Sequence, residues 1–134
     1  MRILIVEDEF SARRILKEIL SPYGDCDTVV DGEEAVEAFM LAMEEKAPYD
    51  LICMDIMMPN MDGLEALKRI RQTEKDSGIL GSAEVKVIMV TALDNPKTVF
   101  EAFYKGGATS YIVKPINKIR VLDEVRSFGL TDIK

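Results

Sequence analysis

Five short apolar runs, separated by segments of helical period, constrain this chain more than any other feature. The runs occupy residues 2–6, 26–30, 51–54, 85–90 and 110–113 and are rich in Val, Ile, Leu and Met. They are continuously apolar and do not alternate, the pattern of strands covered on both faces in a parallel sheet. Between and after them, apolar residues recur at helical spacing. Residues 10–20 carry Ile15, Leu16, Ile19 and Leu20, and residues 32–45 carry Ala35, Val36, Phe39, Met40 and Met43. Residues 63–71 carry Leu64, Leu67 and Ile70, residues 96–105 carry Val99, Ala102 and Phe103, and residues 116–128 carry Ile119, Leu122 and Val125. Strict alternation of strand and helix, with right-handed crossovers, predicts an α/β fold: a doubly wound (βα)5 sandwich around a five-stranded parallel sheet.

Local punctuation agrees. Asp31-Gly32 follows the second run, Pro96 opens a helical segment, and Gly106-Gly107 and Gly129 close two others. No repeat or linker interrupts the 134 residues, and 73–84 reads as a long irregular connection. One domain over residues 1–134 is therefore expected, with flavodoxin-like strand order 2-1-3-4-5. The apolar runs are far too short to cross a bilayer, and the amino terminus has no signal-peptide layout. Cys26 and Cys53 both lie in apolar runs, where reduced, buried thiols are expected. The expected compartment is the cytoplasm.

Charge narrows the function classes. Seventeen basic against 24 acidic residues give a net charge of −7. Such a surface repels nucleic acid and anionic lipid, so neither is an expected direct partner. Histidine is absent. That excludes histidine-dependent triads, most zinc sites and histidine general bases. Chemistry must rest on carboxylates, hydroxyls, lysine or a metal held by oxygen.

In sheets of this kind ligands sit outside the carboxyl ends of the strands. The chain puts Glu7-Asp8 after its first strand, Asp55 at the third, Thr91 at the fourth and Lys114-Pro115 at the fifth. Each alone is an ordinary turn, cap or surface residue; all of them at one sheet edge are not. Two carboxylates about 4 Å apart repel by ~4 kcal/mol at an effective dielectric near 20. One lysine cannot neutralise three acids, whereas Mg²⁺ with oxygen ligands fits the charge deficit. With a metal bound, an anionic phosphoryl group becomes tolerable. Lys114 supplies a point charge for it, Thr91 a hydroxyl donor, and Asp55 the nucleophile of an aspartyl-phosphate.

These segments resemble the receiver domain of two-component response regulators, of the stand-alone CheY-like type. The stretch Asp55-Ile56-Met57-Met58-Pro59-Asn60-Met61-Asp62-Gly63 is similar to the family's phosphoacceptor loop. Val6-Glu7-Asp8-Glu9 resembles its acidic turn, Val90-Thr91-Ala92 its hydroxyl strand end, and Tyr111-Ile112-Val113-Lys114-Pro115 its lysine strand. The likeness runs from residue 2 to about residue 128, in the family's order and spacing. It departs in having Glu7-Asp8 in place of two aspartates, a longer 73–84 connection and a second glycine at 106–107.

The resemblance implies roles. Asp55 would accept a phosphoryl group from a sensor histidine kinase or a histidine phosphotransfer protein. Asp8, Asp55 and the backbone carbonyl of Met57 would ligate Mg²⁺, with Glu7 acting through water. Thr91 and Lys114 would hold phosphoryl oxygens, and Tyr111 would rotate inward as Thr91 moves. The face of the fourth helix, fifth strand and fifth helix would then change its preference for a downstream protein, in a chemotaxis-like or relay role. The Lys114-Pro115 bond would be cis, and the protein a monomer or a phosphorylation-dependent dimer. An exposed aromatic among Phe100, Phe103 and Tyr104, next to Tyr111, would add an output patch. Only six residues follow Phe128, so output is expected through partners. The eight methionines are expected mostly in the core, with Met57 and Met58 flanking the site.

A signalling domain is expected, not an enzyme, with only self-phosphotransfer and slow self-dephosphorylation. Met57 and Leu93 are apolar and would fail to orient an attacking water, so polar substitutions such as Leu93→Glu or Met57→Asn should speed decay. A phosphohydrolase of the haloacid dehalogenase type would need an acid where Met57 stands. A flavodoxin-like cofactor module would need phosphate donors where Glu7-Asp8-Glu9 would repel phosphate. A phosphate-independent interaction module is argued against by the intact acidic site.

Overall fold

A computed structural model describes residues 1–92, 97, 100, 101 and 106–130. Strands β1 (Arg2–Val6), β2 (Asp25–Val29), β3 (Leu51–Asp55), β4 (Lys86–Thr91) and β5 (Ser110–Val113) pair in parallel, in the order β2-β1-β3-β4-β5. Helices α1 (Phe10–Leu20), α2 (Gly32–Glu44), α3 (Gly63–Asp76) and a last helix (Lys118–Ser127) cover the sheet. The doubly wound topology and strand order are those expected. Apart from Lys97, Phe100 and Glu101, the helix expected over 96–105, with its Phe103 and Tyr104, lies outside the described residues, as does Leu93.

Successive strand residues point to opposite faces, and here both faces are packed. On one side Leu4, Val6, Ile52, Met54, Val87 and Met89 meet Ala35 and Phe39 of α2 and Ala66, Leu67 and Ile70 of α3. On the other, Ile3, Ile5, Leu51, Cys53, Ile88 and Val90 meet Leu16 and Leu20 of α1 and Val121 and Val125 of the last helix. Every residue of β3 is buried. That double cover is why the central strands read as unbroken apolar runs.

Three expectations need correction. The run at 26–30 is no doubly covered strand: β2 is shifted to Asp25–Val29, and none of its residues is buried. Among the described residues it is an edge strand, paired only to β1, and its Asp25, Asp27 and Thr28 are exposed. Cys26 is accordingly only half-buried, whereas Cys53 is buried as expected. Second, α3 runs on through Asp76, and the connection contains a 3-10 turn at Gly81–Ala83. The extension is held by a polar residue that apolar periodicity cannot report. Glu74 is buried, accepts from Arg71 Nη1 at 2.7 Å and from the Val85 amide at 2.7 Å, and so ties the helix end to the start of β4. Third, the methionines divide, with Met54 and Met89 buried but Met40 and Met57 exposed.

Helix starts at the carboxyl edge are sharply set. Asp31 and Asp62 accept from Glu34 N and Glu65 N, each at 2.9 Å, and cap α2 and α3. A Cβ on Gly63 would lie 2.1 Å from the Asp55 carbonyl oxygen, so only glycine lets α3 start this close to β3. Among the described residues, no helix is long and apolar enough to cross a membrane.

Candidate phosphoryl and metal site at the carboxyl edge of the sheet

The strand ends bring the sequence-scattered groups together. Glu7, directly after β1, is fully buried, Asp8 is exposed, and Asp55 at the end of β3 is buried. One oxygen from each of the three lies within 4.8 Å of the others. Lys114, directly after β5, reaches across. Its Nζ donates to Asp55 Oδ2 at 3.2 Å and contacts Glu7 Oε1 at 2.6 Å. The second Asp55 oxygen, Oδ1, accepts from the Met57 amide at 3.4 Å. Thr91 is buried at the end of β4, and its carbonyl accepts from the Lys114 amide at 2.7 Å. The peptide between Lys114 and Pro115 is cis, as expected. Tyr111 is half-buried, packing against the cluster under α2 and α3. Phe100 is exposed, and so is Met57, at 63%.

The electrostatics follow from crowding. Burial, reinforced by the facing Asp55 carboxyl and opposed by Lys114, pushes the Glu7 carboxyl up to about 7. Burial alone would lower the Lys114 ammonium; its contacts with Glu7 and Asp55 outweigh that and raise it. Glu7 Oε1 touches Lys114 but has no partner in hydrogen-bond geometry among the described residues. A buried carboxylate oxygen short of donors, beside two more carboxylates and a single ammonium, is a set into which a hard divalent cation fits. Mg²⁺ suits it better than zinc, because the ligands are oxygens only.

The acidic turn has a support that sequence reasoning missed. Arg13, one turn into α1, donates through Nη1 to the Glu7 carbonyl at 3.0 Å and sits 3.5 Å from the Asp8 carbonyl. Its signal was a cation five positions after Asp8, on the helix that follows. Asn60 and Asp31 were missed as a pair. They hydrogen-bond at 2.8 Å across 29 residues of sequence, a separation at which no spacing rule operates.

The profile of the response regulator receiver domain matches residues 3–126. The chain belongs to this family. Chemotaxis protein CheY of Bacillus subtilis is 37% identical over 124 residues, covering 92% of this chain and 93% of that protein. Among solved receivers, one similar structure is the CheX–CheY–BeF3–Mg²⁺ complex from Borrelia burgdorferi. It has a TM-score of 0.81 at 32% identity and covers 98% of this chain and 90% of that one. Another is the receiver domain of the Arabidopsis thaliana histidine kinase CKI1 complexed with Mg²⁺ and BeF3⁻. Its TM-score is 0.80 at 26% identity, with 97% and 90% of the two chains covered. The receiver of two-component signalling is thus the fold and the family of this chain, a signalling domain in class. Glu7, Asp8 and Asp55 form the acidic cluster at its carboxyl edge.

Proposed function

We propose that this receiver is a switch operated by phosphorylation of Asp55 in the presence of Mg²⁺. The observation that carries the reading is the Asp55 carboxylate, buried between the Lys114 ammonium and the Glu7-Asp8 pair. In the proposed step an Asp55 oxygen attacks the phosphorus of a phosphohistidine on a sensor kinase or phosphotransfer protein. The P–O bond forms, the P–N bond breaks, and the imidazole leaves. Asp8, Asp55 and the Met57 carbonyl would hold Mg²⁺, with Glu7 acting through water. When bound, the ion would neutralise the phosphoryl oxygens. Lys114 holds one further oxygen by charge and Thr91 another through its hydroxyl.

Thr91 moving toward the phosphoryl group would draw Tyr111 inward and alter the face around β5 and the last helix. A downstream protein would read that face, either at a motility target or as the next member of a relay. Exposed apolar Met57 offers an attacking water no hydrogen bond, so self-dephosphorylation is slow and Met57→Asn accelerates it. The chain acts as one receiver unit, alone or as a dimer formed on phosphorylation.

The test is intact mass after incubation with acetyl phosphate, with and without Mg²⁺, beside Asp55→Ala. The expected result is a single phosphoryl addition that requires Mg²⁺ and is lost in the variant. Addition that persists in Asp55→Ala would overturn the assignment of Asp55. No addition, even from a phosphorylated histidine kinase, would overturn the switch itself.

A further inference from the structure

The loop between β3 and α3 carries Asp55 and Met57, and α2 grips it from outside the acidic cluster. Asn60 sits in the left-handed region, at φ 66, a conformation that asparagine tolerates better than most residues. Its Nδ2 donates to Asp31 Oδ2 at 2.8 Å. Asp31 is buried, and its other oxygen accepts from Glu34 N to cap α2. One carboxylate therefore serves a helix and a loop at once. Beside it, Gly32 N donates to the Met61 carbonyl at 3.0 Å. A Cβ on Gly32 would come within 2.5 Å of that same oxygen, so the two backbones meet only at glycine. Closer to Asp55, Gly63 N donates to the Ile56 carbonyl at 2.8 Å. The loop is pinned at both ends, and the Met57 carbonyl lies between the pins.

From this juxtaposition we infer that Asp31 and Asn60 are positioning residues for Mg²⁺, acting by holding the Met57 carbonyl in register with Asp8 and Asp55. The inference rests on the metal reading given under the proposed function. Neither side chain belongs to the acidic cluster itself. Their effect passes through the backbone of residues 56–61, as supporting partners orient ligands in other metal sites.

The pair can be broken and remade. Asn60→Asp keeps a residue tolerant of the left-handed region but sets two carboxylates against each other. Adding Asp31→Asn to it restores one donor and one acceptor with the direction reversed, and asparagine still caps α2. Mg²⁺ titration by calorimetry is expected to show affinity about 10-fold weaker in Asn60→Asp. The double variant should recover most of the loss. Amide exchange at Met57 to Met61 in metal-free protein should rise in Asn60→Asp and fall again in the double variant. Glu74→Gln, remote from the site, should lower the melting temperature yet leave Mg²⁺ affinity unchanged, which separates positioning from general stability. Equal affinity and exchange in the native protein and Asn60→Asp would overturn the inference, as would a double variant no better than the single one. A native protein that binds no Mg²⁺ would instead overturn the metal reading on which it stands.

Discussion

Glu7 is fully buried and has a carboxylate for a neighbour. Its carboxyl is raised from 4.5 to about 7 in the folded protein. Within that window the native state keeps a proton that the unfolded chain has released. Its contribution to stability is therefore complete at pH values below the window and fades as pH rises through it. In metal-free protein, Glu7→Gln should match the native chain at low pH and exceed its stability by about 2–3 kcal/mol at pH 8. Urea unfolding across pH with a chelator present checks this, and a pH-independent difference between the two would refute it. At this scale the sequence was legible wherever a charged residue ends an apolar run, as at Asp55 and Lys114. Cys26 was less so: its place at the head of the run at 26–30 suggested burial, but that strand lies at the sheet edge.

Among the elements, α1 follows its apolar period at Leu16, Ile19 and Leu20, which are buried together with Ala12, whereas Ile15 is exposed. Helix α3 does not, since its last turn is anchored through Glu74 and Arg71 and not through an apolar stripe. Arg71 donates to Glu74, to the Val85 carbonyl at 2.8 Å and to the Gly107 carbonyl at 3.0 Å. Removing one member of such a buried set leaves the others desolvated and unpaired. Glu74→Ala should therefore cost about 3 kcal/mol, seen as a lower urea midpoint. Phosphorylation of Asp55 should be unaffected once the variant is folded. A loss below about 1 kcal/mol would mean that water replaces the carboxylate there.

For the whole molecule, a net charge of −7 and three acids within 4.8 Å mean that the fold holds repulsion at its carboxyl edge. A cation bound only by the native state relieves it. Mg²⁺ at one hundred times its dissociation constant should add about 2.7 kcal/mol to the unfolding free energy. Thermal unfolding with Mg²⁺, against sodium at matched ionic strength, measures this. Asp8→Asn combined with Asp55→Asn should abolish the gain. A gain of the same size in that double variant would place the cation elsewhere on the acidic surface.

The order of elements, the double cover of the central strands and the five groups at their ends were determined by the sequence alone. Apolar periodicity and strand-end placement are local properties, and both survive into the fold. Tertiary structure alone decided that β2 is an edge, that Glu74 extends α3, that Arg13 braces the acidic turn and that Asp31 meets Asn60. Each of these depends on polar contacts or sheet neighbours brought together by the crossovers. A hydrogen bond across 29 residues leaves no period in the chain, and a strand does not carry its own position in the sheet.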